Sequence, residues 1–130
     1  MKNWHGLIRL LPSDILTFHE QLDKAAGIRD IGLIESAVNA PFQTFGGKFL
    51  YPAVEERAAR LFYGLVKNHG FIDGNKRVAL HALTVYLRIY GFNLNCSQAE
   101  RVSVTMKVAA GEMTAEDFLT WVRSRINERQ

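Results

Sequence analysis

Residues 68–80 read NHGFIDGNKRVAL. A histidine, an aspartate, an asparagine, a lysine and an arginine crowd together there, with Gly70 and Gly74 among them. Two glycines so close disfavour a continuous helix, yet the residues on either side keep helical spacing. The stretch therefore reads as a short polar loop joining two helices, and the fold follows outward from it. Before it, Pro52 opens a helix through about Asn68. Val54, Ala58, Leu61, Phe62, Leu65 and Val66 form its buried face, and His69 continues that face. After it, Asn75 or Gly74 caps a helix from about Lys76 to Tyr90 that stops at Gly91. That second helix is apolar almost all round, which predicts a place in the middle of the fold. Its one polar stripe is Arg77, His81, Thr84 and Arg88.

The flanking segments supply more helices. Ser13 caps a helix from about Asp14 to Ala25, with Ile15, Phe18, Leu22 and Ala26 on one face and Gly27 as the stop. On this face His19 reads as a core histidine. Asp30 caps a short helix through about Asn39, with Pro41 beyond it. Residues 42–51, FQTFGGKFLY, set Gly46 and Gly47 between aromatic and β-prone residues, a hairpin signal. Ser97-Gln98-Ala99-Glu100 is a capping box for a helix to about Ala110. Thr114 and Asp117 signal a last helix ending near Asn127. The expectation is an all-α single domain over residues 1–130, a helical bundle with one small β-hairpin.

Composition narrows the function classes. Hydrophobic residues make up 48% of the 130 and charged residues 22%, as in an ordinary globular chain. The net charge of +3 is too small to argue for direct nucleic-acid binding, and no basic stripe stands out. The single cysteine, Cys96, rules out an internal disulfide and fits a reducing compartment. No apolar run is long enough for a membrane span, and the N-terminal one is too short for a signal peptide. A cytoplasmic protein is expected.

The chemistry of the loop is that of an anion site. It enters a helix N-terminus, where backbone N–H groups lack intrahelical partners and carry partial positive charge. Glycines let that backbone approach a ligand. Lys76 and Arg77 place cations at the end of a helix that disfavours them, a conflict that a bound phosphate resolves. Asp73 adds a carboxylate suited to Mg²⁺ shared with phosphates. His69 is a candidate base for a hydroxyl proton. Together they suggest phosphoryl or nucleotidyl transfer. A plain polar loop with an Asx-type turn is the bland alternative. The P-loop pattern fails, because Phe42 stands at its first glycine and Phe49 follows Gly47-Lys48. Zinc is poorly supported, with no second His or Cys at short spacing from His69.

The run His69-Gly-Phe71-Ile-Asp73-Gly74-Asn75-Lys76-Arg77 resembles the signature of the Fic/Doc family. It is most similar to the Doc (death-on-curing) branch, whose version is H-x-F-x-D-A/G-N-K-R. Lys76 stands where Fic enzymes have Gly, and Leu80 where they have a second Arg. The GLIESAV segment and the FGG hairpin also look Doc-like. The resemblance implies an α-helical Fic fold and the toxin of a toxin–antitoxin pair. It implies an ATP-dependent kinase that phosphorylates a protein hydroxyl, a threonine of elongation factor Tu in Doc-type toxins, and so stops translation. By position, His69 would be the general base and Asp73 would serve Mg²⁺. Gly74, Asn75, Lys76 and Arg77 would hold phosphates. His81 replaces an Asn of the family and stands open between site wall and core polar residue. Phe45, Gly46, Gly47 and Lys48 would form the flap that docks the target. The lysine at the Fic glycine position is associated with an inverted nucleotide that presents its γ-phosphate. A self-inhibitory S/T-x-x-x-E-G/N motif is incomplete, since Arg129 follows Ser124 and Glu128, so a separate Phd-like antitoxin is the expected partner. Transfer of AMP, as in Fic enzymes, is the alternative chemistry. A catalytically idle nucleotide- or partner-binding module is the alternative without chemistry.

Overall fold

The structure, a computed structural model, describes residues 2–4, 7–22 and 27–129. It opens with an antiparallel pair, β1 (Lys2–Trp4) and β2 (Leu7–Arg9). Then come α1 (Pro12–Leu22), α2 (Ile31–Asn39) and a 3-10 turn over Ala40–Phe42. β3 (Thr44–Phe45) and β4 (Lys48–Phe49) make a hairpin. α3 (Val54–Asn68) and α4 (Asn75–Ile89) flank the polar loop. β5 (Phe92–Leu94), α5 (Gln98–Ala109), α6 (Ala115–Arg125) and β6 (Ile126–Glu128) complete the chain. This is the expected all-α architecture, with strands confined to two-stranded pieces among the described residues. None of the described helices is long and apolar enough to cross a membrane.

α4 lies at the centre, as its all-round apolarity requires. It packs along α3 and also touches α1, α5 and β5. Val78, Ala79, Ala82, Leu83, Tyr86 and Leu87 are buried. α2 sits unusually close to α3, because Gly64 faces Ala37. A Cβ on Gly64 would lie 3.1 Å from the Ala37 Cβ. Phe62 of α3 stacks on Phe118 of α6 with centroids 4.1 Å apart, and both are fully buried. Each such ring contributes roughly 1.5–3 kcal/mol by leaving water.

A polar network ties the hairpin exit to this core. Arg57 is only 3% exposed. It donates to the Tyr86 hydroxyl (3.0 Å) and to the carbonyls of Tyr51 (3.2 Å) and Pro52 (2.6 Å). Burial pushes the Tyr86 phenol well above its ordinary pKa. The phenol thus keeps its proton and donates it to the Ile8 carbonyl (3.0 Å), which anchors β2.

Local signals place most boundaries. Asp30 caps α2 by accepting the Gly32 N–H at 2.9 Å. Gly46 and Gly47 have φ of 61° and 80°, the two positive values that a tight two-residue hairpin turn demands. Thr114 and Asp117 form the full reciprocal capping box.

Several expectations need correction. α1 starts at Pro12, not after a Ser13 cap. Proline suits the first helical position, and Asp14 reaches back to the Leu11 N–H at 2.8 Å. The predicted extension to Ala25 and Ala26 lies outside the described residues. α3 starts at Val54 rather than Pro52, because Glu56 accepts the Ala53 N–H at 2.9 Å and makes Ala53 the cap. Ser97 caps α5, but Glu100 turns to Arg125 instead of closing the box, with Nε 2.8 Å from Oε2. α6 ends at Arg125 rather than near Asn127, because Ile126–Glu128 pairs with Phe92–Leu94.

The Glu100–Arg125 pair holds α5 to the start of β6. The guanidinium lowers the Glu100 carboxyl below the ordinary carboxylate range. Its stabilising effect is therefore complete above about pH 4.3, the ordinary glutamate value. It is lost as the pH falls through the lower folded-state value. Thermal unfolding of Glu100→Gln is expected below wild type at pH 7, with the gap closing in strong acid. A gap independent of pH would show that charge pairing is not the cause.

Candidate active site

The polar loop is built by its backbone. α3 ends at Asn68, and His69 turns the chain with φ 53°, in the left-handed region. The sequence pattern placed His69 on the buried face of α3. The left-handed turn instead lifts it out of the helix, and it is exposed. Gly70 follows in a gap too tight for any side chain, since a Cβ there would lie 2.5 Å from Ile34 Cγ1. At the other end Gly74, at φ 84°, is the N-cap of α4. The Val78 N–H bonds back to the Gly74 carbonyl at 3.0 Å. The amides before it, in the first turn, are those a helix leaves without intrahelical partners.

Side chains lock the middle of the loop. Asn75 clasps the backbone of Phe71 twice, accepting its N–H through Oδ1 and donating Nδ2–H to its carbonyl, both at 3.0 Å. Its amide is thus spent on shaping the loop. Phe71 is 2% exposed and stacks flat on His19, with centroids 3.8 Å apart. His19 is buried, as expected of a core histidine, yet its ring also serves the loop. Its Nε2 lies 2.9 Å from the Asp73 carbonyl oxygen. A carbonyl only accepts, so that nitrogen carries the proton. Asp73 Oδ1 accepts the Gly74 N–H at 2.8 Å, and the residue is exposed.

His69, Asp73, Gly74, Asn75, Lys76 and Arg77, with Ile72, line one open cleft of about 290 Å³. Six of the sequence-predicted residues therefore converge. His81 does not join them. It lies in the next trough along α4, of about 310 Å³, which it shares with Leu22, Leu80, Thr84, Gln98 and Arg101. Arg77 borders both. The His81 ring stands edge-on to Phe18 at 4.7 Å. The hairpin is also apart. Phe45 is 81% exposed, and Gly46, Gly47 and Lys48 are exposed beside it. They precede the N-terminus of α3, whereas His69 follows its C-terminus. The fifteen-residue α3 lies between them in the chain. None of the four lines the cleft.

The cleft combines an exposed imidazole, a carboxylate, two cations and a helix N-terminus. Such a set can hold a polyphosphate and take a proton from a hydroxyl beside it. Among the described residues, no three or more His, Cys, Asp or Glu are grouped so that they could hold a metal ion by themselves. One carboxylate can serve a Mg²⁺ that is coordinated mainly by phosphates and water, and Asp73 is the carboxylate that lines the cleft.

The family model described as "Fic/DOC family" matches residues 9–87, more than half of the chain. The chain belongs to the Fic/DOC family. It is also similar to "Toxin Doc" of Mycolicibacterium smegmatis, with 42% identity over 67 residues. That match covers 52% of this chain and 52% of that protein, so it spans about half the length of each.

Proposed function

We propose that the chain is a Doc-type toxin that transfers the γ-phosphate of ATP to a hydroxyl of a target protein. The observation that carries this reading is the convergence of His69, Asp73, Lys76 and Arg77 on one cleft at the N-terminus of α4. His69 takes the proton of the attacking hydroxyl. The oxygen then bonds to the γ-phosphorus, the bond to the bridging oxygen breaks, and ADP leaves. Lys76, Arg77 and the first-turn amides of α4 hold the phosphates, with the Gly74 backbone beside them. Asp73 would hold a Mg²⁺ bound with the nucleotide, which would neutralise phosphate charge there. Asn75 and Phe71 keep the loop in shape.

Lys76 favours phosphoryl over AMP transfer, because a lysine at this position is the Doc-branch variant associated with an inverted nucleotide. The proposed target is elongation factor Tu, modified on a threonine in the cytoplasm, which stops translation. A Phd-like antitoxin is the proposed inhibitor. The exposed hairpin of Phe45, Gly46, Gly47 and Lys48 is the proposed flap that docks the target. The similarity to the mycobacterial toxin supports the toxin role.

Induced expression in a bacterial host is the direct test. Growth should arrest with the wild-type chain and continue with His69→Ala. Elongation factor Tu from arrested cells should carry one added phosphate. Growth arrest with the factor unmodified would remove it as the target.

Lys76 gives a quantitative check. A hydrogen bond to a charged group contributes about 1.5–3 kcal/mol, or roughly 10–100-fold in affinity. Lys76→Ala should weaken Mg·ATP binding by that factor in an equilibrium titration. An unchanged affinity would place the phosphates elsewhere.

A further inference from the structure

We propose that Arg29, which lies outside the loop motif, is the positioning residue for His69. A helix C-terminus leaves carbonyls without partners, and the usual remedy is a glycine in the left-handed conformation. Here the left-handed residue is His69, the one non-glycine with positive φ among the described residues. That conformation is disfavoured for any residue with a side chain, so something must hold it.

Arg29 does so through three successive carbonyls. Its Nε donates to the His69 carbonyl at 2.7 Å and its Nη2 to the Asn68 carbonyl at 3.2 Å. Its backbone N–H donates to the Gly70 carbonyl at 2.9 Å, joined there by the Asp30 N–H at 3.0 Å. The neighbouring chain completes the seam, with Ile28 bridged to Phe71 and the Ile72 N–H on the Gly27 carbonyl at 3.0 Å. A guanidinium presents its donors in a planar fork, so one side chain spans two adjacent carbonyls. With the carbonyls of 68, 69 and 70 fixed, the peptide planes on both sides of the His69 Cα are fixed. The direction of its Cα–Cβ bond, from which the imidazole reaches the cleft, follows. Arg29 itself is exposed and absent from the cleft lining. It therefore acts through His69 and not on the substrate.

The kinetic half of this proposal rests on the phosphotransfer reading, but the structural half does not. The test compares wild type, Arg29→Ala and Arg29→Lys by NMR without ligand and by steady-state transfer from ATP. In Arg29→Ala the His69 Cα and Cβ shifts should leave left-handed values. The amides of Asp30 and Ile72, which bond to the Gly70 and Gly27 carbonyls along this seam, should exchange faster, while those of α4 and α3 stay protected. A misplaced base costs about 10²-fold in rate, so kcat should fall by that factor with KM for ATP unchanged. Arg29→Lys keeps the charge without the fork and should stay near the alanine level. A His69 that remains left-handed, or a kcat that does not move, overturns the proposal. So does faster exchange spread evenly through the core, which would make Arg29 a general stabiliser. If the wild type transfers nothing, the phosphotransfer reading fails, and the NMR result alone still decides whether Arg29 sets the His69 turn.

Discussion

Replacing His69 with alanine is expected to lower the transfer rate by about 10²–10⁴-fold, the range for loss of a general base. The fold should be untouched. His69 is exposed and stands outside the apolar core cluster. Alanine keeps the Cβ, so the left-handed turn at φ 53° is no harder to adopt than before. Nucleotide binding should also persist, because Lys76, Arg77 and the α4 amides remain. The signature is a fall in kcat with unchanged ATP affinity and unchanged thermal unfolding. If full activity survived in Gln or Ala at this position, another group would be the base.

The second large effect is expected at Gly70. An added methyl would meet Ile34 Cγ1 at 2.5 Å, far inside contact distance, with the Ile34 backbone nitrogen at 3.3 Å. The loop would have to lift off α2. That stretches the bonds from the Arg29 and Asp30 N–H groups to the Gly70 carbonyl. Overpacking of this kind costs about 1–3 kcal/mol, and displacement of the adjacent base by about 1 Å adds up to 10²-fold in rate. Urea unfolding and transfer assays on Gly70→Ala should show both losses. Ile34→Ala removes the obstacle, so the double variant should lose less stability than the two singles summed. Strict additivity would mean that the two positions are not in contact.

Much of this site is legible in the sequence because its signals are local. The glycines that end and start the helices, the Asp30 and Thr114 caps and the Gly46-Gly47 turn each act within a few residues. The all-round apolarity of α4 likewise declares its central place without any partner being known. The motif from His69 to Arg77 lies within one loop and one helical turn, so most of its polar side chains come together at one cleft, while Phe71 turns into the core. What escaped is non-local. β5 and β6 recruit each other from opposite ends of the last two helices, and that pairing truncates α6. β1 and β2 likewise depend on Ile8 meeting Tyr86 and Tyr90 across the fold. The two supports of the loop come from elsewhere in the chain. His19 reads as a core histidine from its helical face, and only the fold shows its Nε2 on the Asp73 carbonyl. Arg29 gives no local sign of its task. The reverse failure is the placing of His69 on the buried face of α3, since periodicity carries no information about where a helix turns left-handed.

These features give the loop a division of labour. Asn75 and Phe71 shape it, His19 holds its second half, and α2 with its lead-in holds the first. The residues left facing the cleft include His69, Asp73, Lys76 and Arg77. In the proposed reaction His69 would be the base, Asp73 the metal carboxylate and Lys76 with Arg77 the phosphate cradle, each carried on this braced loop, and positioning of that kind lowers a barrier.

The central claim is that this cleft moves the γ-phosphate of ATP with His69 as base. The most direct measurement incubates purified protein and Mg²⁺ with elongation factor Tu and, separately, with a bacterial extract. ATP carries its label on the γ-phosphate in one series and on the α-phosphate in the other, each with a His69→Ala control. The account predicts protein label from the γ-phosphate alone, lost in the variant. Label from the α-phosphate would make the chain an AMP transferase and contradict the reading of Lys76, and no label from either would leave a nucleotide-binding module without the chemistry proposed.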